Sequence, residues 1–277
     1  MSNTFIQNKM SYLITTLCLG DKFPQVKTHW IDRIREKCKK VKDIQFFDET
    51  NVSQEEITRF EYEFAWWDII RLQKNIGLCS STSIPIVQID MDIIIEKEIQ
   101  SLIELPYDFI ISTEIGGNQS FPRECSEKLG FGVCTGFYVV KRTAIPFLKK
   151  IEENIFNKKY NSLSDQVNIM NYIVNNPYTC TDEICIIDGI EFHNKKIEID
   201  GILIGVLDFN IITRDPVLPA HQFGNHINVE NVGGVTNFIR YFYEPLDNLP
   251  LTCRCGKTHL GDNSICKHID ILNNSKK

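Results

Sequence analysis

The sequence predicts an α/β protein in which helices alternate with apolar strands. Such strands recur at Tyr12–Leu19, Ile84–Ile89, Phe109–Thr113 and Gly132–Lys141, and amphipathic segments lie between them. Strands with continuous apolar interiors are typical of a sheet that helices cover on both sides. Hydrophobic residues make up 43% of the chain and charged residues 24%, which excludes a disordered or collagen-like polypeptide.

The remaining elements follow from helical periodicity and turn residues. A further strand is predicted at Asp43–Phe47, and helices are predicted at Val26–Lys40, Gln54 to about Asn75, Glu96–Leu105, Thr143–Lys159 and Ser164–Asn175. Gly77 would end the long second helix, because glycine is favoured just after a helix. From Glu183 to Arg214 the pattern changes to short β runs, broken at the hairpin-type pairs Asp188-Gly189 and Asp200-Gly201. These runs predict a smaller second sheet, and the tail from about Glu244 is loop-rich.

Charge and cysteine content limit the partners and the compartment. The chain has 30 Lys and Arg against 36 Asp and Glu, a net charge of −6, which argues against nucleic acid as a partner. No apolar run is long enough for a transmembrane segment. Tyr12–Leu19 follows Lys9 and invites a signal-peptide reading, but Gly20-Asp21-Lys22 offers no cleavage site, so we favour a buried strand. Most of the 10 cysteines lie within predicted elements, as reduced thiols do, and we expect a cytoplasmic protein, in the host cytoplasm if the chain is viral.

Asp90 and Asp92 are the most informative residues in the sequence. They follow an apolar strand, at the end where open α/β sheets bind their ligands. Because alternate residues of a strand point the same way, both carboxylates could converge on one divalent cation, which could neutralise a diphosphate. The alternative is a pair of turn aspartates, but Ile93-Ile94-Ile95 would bury that pair on its other side, which is costly without a cation.

Four segments in order give the chain a resemblance to a known family. Ile86–Ile95 (IVQIDMDIII) resembles the strand and DxD motif of GT-A glycosyltransferases, which use nucleotide-diphospho-sugars. Val133–Phe137 (VCTGF) and Ser164–Asn168 (SDQVN) resemble that superfamily's next two segments. Gly224–Asn228 (GNHIN), followed by Gly233-Gly234, resembles its late His-containing segment. The order most resembles retaining xylosyl, arabinosyl and galactosyl transferases of plant and viral type, over roughly Ser11 to Arg240.

The resemblance implies a GT-A type, Rossmann-like mixed sheet flanked by helices. It implies a transferase domain at 1–243, with a nucleotide-binding half at 1–113 and an acceptor- and metal-completing half at 114–243, followed by a Cys/His-containing tail at 244–277. The implied activity is metal-dependent transfer of a hexosyl or pentosyl unit, with retention. The sugar would move from a UDP-sugar to a hydroxyl of a glycan or glycoprotein.

The resemblance also assigns roles to individual residues. Mn²⁺ or Mg²⁺ would be held by Asp90, Asp92 and His226, and the donor sugar would face the catalytic pair Asp165 and Gln166. The remaining contacts to the nucleotide-sugar would come from Thr15, Thr16, Leu17, Arg71, Met91, Thr135, Gly136 and Gly234. Two departures from the pattern stand out: Cys134 replaces the usual Asn, and the Lys expected after the late glycine is missing, so that its phosphate contact would be either absent or supplied by Arg240.

Each of these assignments has a simpler alternative. Ser164 or Asp165 could be only a helix N-cap. His226 could be an ordinary loop residue, with His221 as a competing ligand. Arg71, like Lys74, could be a solvated residue on the helix surface rather than a nucleotide contact.

The tail holds a possible zinc site. Cys253, Cys255, Cys266 and His268 could supply four ligands to a structural Zn²⁺. The Cys-x-Cys spacing departs from the usual two-residue gap, so free thiols are the alternative.

Two further functions compete with glycosyl transfer. A haloacid-dehalogenase-type phosphatase also has a DxD at a strand end, but that class carries it near the chain start, usually followed by Gly and Thr. The other is a sugar-nucleotide-binding protein that has lost turnover, which Cys134 would favour.

Overall fold

The computed structural model describes residues 11–19, 23–62, 66–114, 122–208 and 210–213, together with 224–226, 243, 250–252 and 258–260. The helices are α1 (Phe23–Lys37), α2 (Gln54–Tyr62), α3 (Trp66–Ser81), α4 (Gln100–Ile103), α5 (Arg123–Leu129), α6 (Ile145–Phe156) and α7 (Asp165–Val174). The strands are β1 (Tyr12–Leu17), β2 (Val41–Phe47), β3 (Ile86–Ile89), β4 (Ile93–Ile95), β5 (Phe109–Glu114), β6 (Gly132–Val140), β7 (Tyr178–Ile187), β8 (Ile190–Ile199), β9 (Ile202–Val206), β10 (Ile212–Thr213), β11 (Gly224–His226), β12 (Pro250–Thr252) and β13 (Thr258–Leu260).

Eight strands form one mixed sheet in the order β2-β1-β3-β6-β5-β9-β8-β7. Strands β2, β1 and β3 are mutually parallel, β6 runs antiparallel to β3 and to β5, and β5 is parallel to β9. The carboxyl ends of β1, β2, β3, β5 and β9 therefore lie along one edge, where ligand sites of such sheets form. This architecture confirms the α/β fold class predicted from the sequence.

Two hydrophobic clusters cover the two faces of the sheet. One contains buried residues of α1, such as Trp30 and Ile34, and the other contains buried residues of α3, α6 and α7, such as Ile69, Phe147 and Ile173. Helices on both faces explain why the strand interiors are largely apolar. Within the described ranges, no helix combines the length and the apolar character needed to cross a membrane.

The second sheet is smaller and is built from other strands than the sequence predicts. Strands β7 and β8 form a long hairpin that continues the main sheet, and β9 lies between that hairpin and β5. The separate three-stranded sheet is β10-β11-β4. Strand β4 is distant in sequence from β10 and β11, and such pairing leaves no local signal. Both predicted hairpin turns are confirmed, because Asp188-Gly189 and Asp200-Gly201 have φ values of 51°, 79°, 53° and 73°.

Two predicted helices have other boundaries. The described parts of the helix predicted from Gln54 to about Asn75 are α2 and α3, on either side of residues 63–65, and α3 continues through Gly77 to Ser81. Gly77 does not end the helix. Its φ is not positive, and a Cβ there would meet nothing within 4 Å. The helix predicted at Glu96–Leu105 is reduced to the single turn of α4, because β4 and the segment after it occupy the preceding residues.

Candidate active site

The two aspartates lie in a tight turn rather than on a continuing strand. Strand β3 ends at Ile89, and the amide of Ile93 donates to the carbonyl oxygen of Asp90 at 2.9 Å to close the turn into β4. The amide of Asp90 donates to the carbonyl oxygen of Gly136 on β6 at 2.8 Å, which ties the turn to the sheet. Asp90 and Asp92 are therefore not alternate residues of one strand, contrary to the prediction from the sequence. The turn determines the positions of the two carboxylates. We call Asp90–Asp92 the acidic turn; Met91, between the two aspartates, is buried.

Arg71 of α3 lies beneath the acidic turn and binds three carboxylates. Its Nη1 donates to Oδ1 of Asp90 at 3.0 Å, and its Nη2 donates to Oδ1 of Asp68 at 2.8 Å. Nη2 also lies 3.0 and 2.8 Å from the two carboxylate oxygens of Asp165 at the start of α7. The side chain is 0% exposed, which excludes the solvated helix-surface alternative. Arg71 thus joins three separate elements at the sheet edge: α3, the acidic turn and α7.

The hydroxyl of Thr135 and the ring of Trp67 complete the surroundings of this guanidinium. Nη2 of Arg71 donates to Oγ1 of Thr135 at 2.9 Å, and the guanidinium carbon lies 4.6 Å from the centre of the Trp67 ring. A cation over an indole face is attracted by the negative face of the ring. These contacts fix Arg71 in one orientation.

The four charged side chains of this cluster differ in how readily they hold a proton. Burial raises the pKa of Asp68 well above its ordinary value, and the nearby Asp165 carboxylate raises it further, so Asp68 takes up a proton readily. Burial alone would lower the pKa of Arg71, but the carboxylates of Asp165, Asp90 and Asp68 outweigh it and hold the guanidinium charged. One cation then faces Asp90 and Asp165, with Asp92 also in the acidic turn. Among the described side chains of this cluster, carboxylates outnumber cations, which favours an additional cation at this edge.

The start of α7 is not a simple N-cap. Ser164 occupies the cap position without making a capping hydrogen bond, and its side chain hydrogen-bonds instead with Asp68. Asp165 is 1% exposed, and its Oδ1 accepts from the amide of Gln166 at 2.7 Å as well as from Arg71. Gln166 is half-buried and the more accessible of the two. Of the predicted catalytic pair, Asp165 is therefore a buried counter-ion, and Gln166 is the side chain closer to solvent.

The backbone brings His226 to the acidic turn. Strand β11 runs antiparallel to β4, and His226 is in register with Ile93, the residue after Asp92. A segment more than a hundred residues away in sequence is thus adjacent to the predicted metal ligands. Asp90, Asp92 and His226 therefore belong to neighbouring stretches of backbone. The competing His221, and Gly234, lie outside the described residues, as do the four predicted zinc ligands Cys253, Cys255, Cys266 and His268.

The first strand contributes buried threonines rather than an open surface. Thr15 and Thr16 are both 0% exposed, and Leu17 is also buried. The hydroxyl of Thr15 is used inside the protein, where it lies 2.8 Å from Oδ1 of Asn75 and 3.1 Å from Oε1 of Gln88. The hydroxyl of Thr16 has no hydrogen-bond partner within the described part of the chain. At this strand end, only Thr16 has hydrogen-bonding capacity left for a ligand.

Four residues of this site are missed by sequence reasoning: Asp68, Asn75, Gln88 and Tyr138. Asp68 lies three residues before Arg71 on the same helix, a spacing that places both on one face. Gln88 is two residues before Asp90 and is the one polar side chain in an otherwise apolar strand, which is a usable signal. Asn75 and Tyr138 carry no such signal, because each is an ordinary residue of an amphipathic helix or a strand.

The residue types fit a hard divalent cation. Carboxylate oxygens together with one imidazole suit Mn²⁺ or Mg²⁺, and a net negative charge favours either ion. Among the side chains that the structure describes, no three His, Cys, Asp or Glu converge as a complete metal site. A cation here would therefore take ligands beyond the described side chains, from the β11 segment or from the bound substrate.

No protein-family model and no curated protein matches the chain. Among solved structures it is similar to a glycosyltransferase involved in glycosylation of the major capsid of PBCV-1, with 17% identity, 58% of this chain and 75% of that chain covered, and a TM-score of 0.38. It is also similar to mouse xyloside xylosyltransferase 1 in its apo form, with 12% identity, 80% and 99% covered, and a TM-score of 0.47. At these values the likeness does not assign an activity, which has to come from the residues of this chain.

Proposed function

We propose that this protein is a metal-dependent glycosyltransferase that moves a sugar from a UDP-sugar to a hydroxyl group of a glycan or glycoprotein. The observation that carries the proposal is the buried cluster around Arg71. A single guanidinium binds the acidic turn and the start of α7 at the carboxyl-end edge of a mixed sheet, where carboxylates outnumber cations among the described side chains. A buried carboxylate excess is costly unless a cation neutralises it.

In the proposed site, three residues would bind the metal ion and Arg71 would hold their surroundings in place. Asp90, Asp92 and His226 would hold Mn²⁺ or Mg²⁺. When bound, that ion would supply positive charge to the diphosphate of the donor and to the UDP leaving group. Arg71 would hold the Asp90 carboxylate in place from beneath, and the same guanidinium would hold Asp165. The acidic turn and α7 would then move as one unit.

Gln166 would be the residue that faces the donor sugar. Its half-buried side chain can hydrogen-bond with a sugar hydroxyl, whereas Asp165 is buried and paired with Arg71 and is less able to stabilise positive charge at the anomeric carbon. Thr16, near the end of β1, and Thr135 and Gly136, within β6, would line the nucleotide side. Arg71 itself would act on the nucleotide through Asp90 rather than by direct contact.

Retention of configuration is part of the proposal and rests on the motif order in the sequence. In this mechanism the acceptor hydroxyl would attack the face that the leaving group departs from. The acceptor proton would pass to a departing phosphate oxygen, and no protein base would be required. NMR of the anomeric signal of the first product tests this step.

Binding without turnover is the second candidate, and one observation favours it. Cys134 is buried in β6, and its carbonyl oxygen accepts a hydrogen bond from Ser112 at 2.8 Å. A buried thiol cannot replace the amide that the family resemblance places at this position. The protein would then bind a sugar nucleotide but leave it intact.

The test is release of UDP from a panel of UDP-hexoses and UDP-pentoses, with Mn²⁺ and with EDTA. We expect Mn²⁺-dependent hydrolysis or transfer by the wild type, and loss of it in Asp92→Asn. The matched control is Asp182→Asn, because Asp182 is an exposed aspartate on β7 paired with Lys195. UDP-sugar binding with no release and no transfer would support the second candidate. Equal turnover in EDTA would refute metal dependence.

A further inference from the structure

A row of polar side chains crosses three strands beneath the acidic turn. Thr15 on β1 is in register with Gln88 on β3, and Gln88 is in register with Tyr138 on β6. Asn75 of α3 lies against this row, and all four residues are buried. Polar groups at such positions cost free energy unless they are hydrogen-bonded. The row therefore differs from the apolar strand interiors around it.

The hydrogen bonds fix the direction of the Gln88 amide. Its Oε1 accepts from Nδ2 of Asn75 at 3.2 Å and lies 3.1 Å from the hydroxyl of Thr15. Its Nε2 donates to Oδ1 of Asp90 at 3.2 Å. A flipped amide would place its NH₂ group against the amide donor of Asn75 and its oxygen against a carboxylate. The flipped orientation is thus excluded by two repulsive contacts.

Asn75 is fixed in the same way. Its Nδ2 donates to the Tyr138 hydroxyl at 2.8 Å as well as to Gln88, and its Oδ1 lies 2.8 Å from the hydroxyl of Thr15. Both hydroxyls can donate or accept, so the sense of the Asn75 amide is set by Oε1 of Gln88, which requires a donor at Nδ2. The direction of the Gln88 amide is set by side chains from two strands and one helix.

Gln88 and Arg71 act on the same oxygen of Asp90. Oδ1 accepts from Nε2 of Gln88 at 3.2 Å and from Nη1 of Arg71 at 3.0 Å. Two donors on one oxygen restrict rotation of the carboxylate about its Cβ–Cγ bond. Arg71 also serves Asp68 and Asp165, whereas the Nε2 group of Gln88 is directed at Asp90.

We propose that Gln88 is a positioning residue for the cation: held by Thr15 and Asn75, it keeps the Asp90 carboxylate in the orientation that binds the divalent ion. This inference rests on the proposed function, which makes Asp90 a ligand. Gln88 does not touch the ion and acts through Asp90. Groups that hydrogen-bond to a metal ligand commonly change metal affinity by about 10–100-fold.

The experiment measures the Kd for Mn²⁺ of the full chain by calorimetry, with the melting temperature recorded in parallel. Gln88→Met keeps the size of the side chain and removes the donor, and we expect the Kd to rise by about tenfold. Thr15→Val removes one hydroxyl and loosens Gln88, and we expect a rise of about threefold. In the Gln88→Met background, Thr15→Val should add no further change, because Thr15 acts through Gln88.

The control is Asn194→Ala. Asn194 is a buried amide of β8 whose Oδ1 accepts from the amide of Asp208, and no described contact links it to the acidic turn. The Asn194→Ala variant should have a lower melting temperature than the wild type and the same Kd for Mn²⁺. A wild type that binds no Mn²⁺ would overturn the proposed cation site itself. A wild type that binds Mn²⁺, with Gln88→Met within about twofold of it, would overturn only the positioning role. If Gln88→Met does not fold, an unchanged Kd in Thr15→Val has the same consequence.

Discussion

Replacing Arg71 with methionine tests the charge cluster that holds the acidic turn to α7. The variant keeps an unbranched side chain of similar length and removes the only cation seen among Asp68, Asp90 and Asp165 in the described structure. Asp68 has a raised pKa and can hold a proton, so the carboxylates that lose the Arg71 cation are the part-buried Asp90 and the buried Asp165. Breaking a buried ion pair by removing one member costs about 3–5 kcal/mol. That is a large share of a typical stability of about 5–15 kcal/mol.

The assay is urea unfolding followed by far-UV circular dichroism, which does not depend on the fluorescence of the neighbouring Trp67. We expect the free energy of unfolding to fall by about 3–5 kcal/mol at pH 7. The loss should shrink toward pH 4, because the stranded carboxylates can then take up protons. Adding Asp165→Asn to the variant should recover part of the loss, since it removes one of the two uncompensated charges.

Arg123→Met is the matched control. Arg123 also binds a carboxylate, that of Glu127 at 2.7 Å, but its side chain is 73% exposed. An exposed pair of this kind contributes at most about 1 kcal/mol. A loss for Arg71→Met no larger than that of the control, with no dependence on pH, would refute the account of a buried charge cluster.

Three further predictions concern packing, protonation and thiol reactivity. A Cβ at Gly205 would lie 2.2 Å from Cδ2 of Tyr107, so Gly205→Ala should lower the free energy of unfolding by about 1–3 kcal/mol in the same urea assay. A Cβ at Gly77 would meet nothing within 4 Å, so Gly77→Ala should raise the free energy of unfolding by about 0.5–1 kcal/mol. Burial raises the pKa of Asp68 above 3.8, so the folded state binds this proton more tightly and its contribution to stability is lost as pH rises through the folded-state pKa. The free energy of unfolding of Asp68→Asn should therefore fall less than that of the wild type as pH rises from 4. Parallel curves of unfolding free energy against pH for the two proteins would contradict this prediction. Burial raises the pKa of Cys38 to about 12, so mass spectrometry should find this thiol unalkylated by iodoacetamide at pH 8 until urea is added; rapid native labelling would contradict its burial.

The sequence is sufficient for the features that depend on local pattern. Apolar runs predict β1, β3, β5 and β6, and the Asp-Gly pairs predict both hairpin turns, because positive φ at two successive residues demands such residues. Gly77 misleads for the converse reason: glycine is favoured after a helix end, yet it lies within α3, where the helix continues despite the cost of about 0.5–1 kcal/mol relative to alanine.

The site depends on contacts that no local pattern encodes. The default reading of an arginine on a helix is a solvated one, and only the tertiary structure reveals that Arg71 is buried between α3, the acidic turn and α7. The pairing of His226 with Ile93 joins segments far apart in the chain. Gln88 is the exception, because a lone polar residue two positions before an aspartate in an apolar strand could have been recognised from its alternation.

The most direct test of the central claim is calorimetric titration of UDP into the protein, with Mn²⁺ and with EDTA. If the acidic turn holds a cation that carries the diphosphate, UDP should bind in Mn²⁺ and not in EDTA. Asp92→Asn should weaken that binding by about tenfold or more, which corresponds to about 1.4 kcal/mol. UDP binding of equal strength in EDTA, or equal binding by wild type and Asp92→Asn, would contradict the claim.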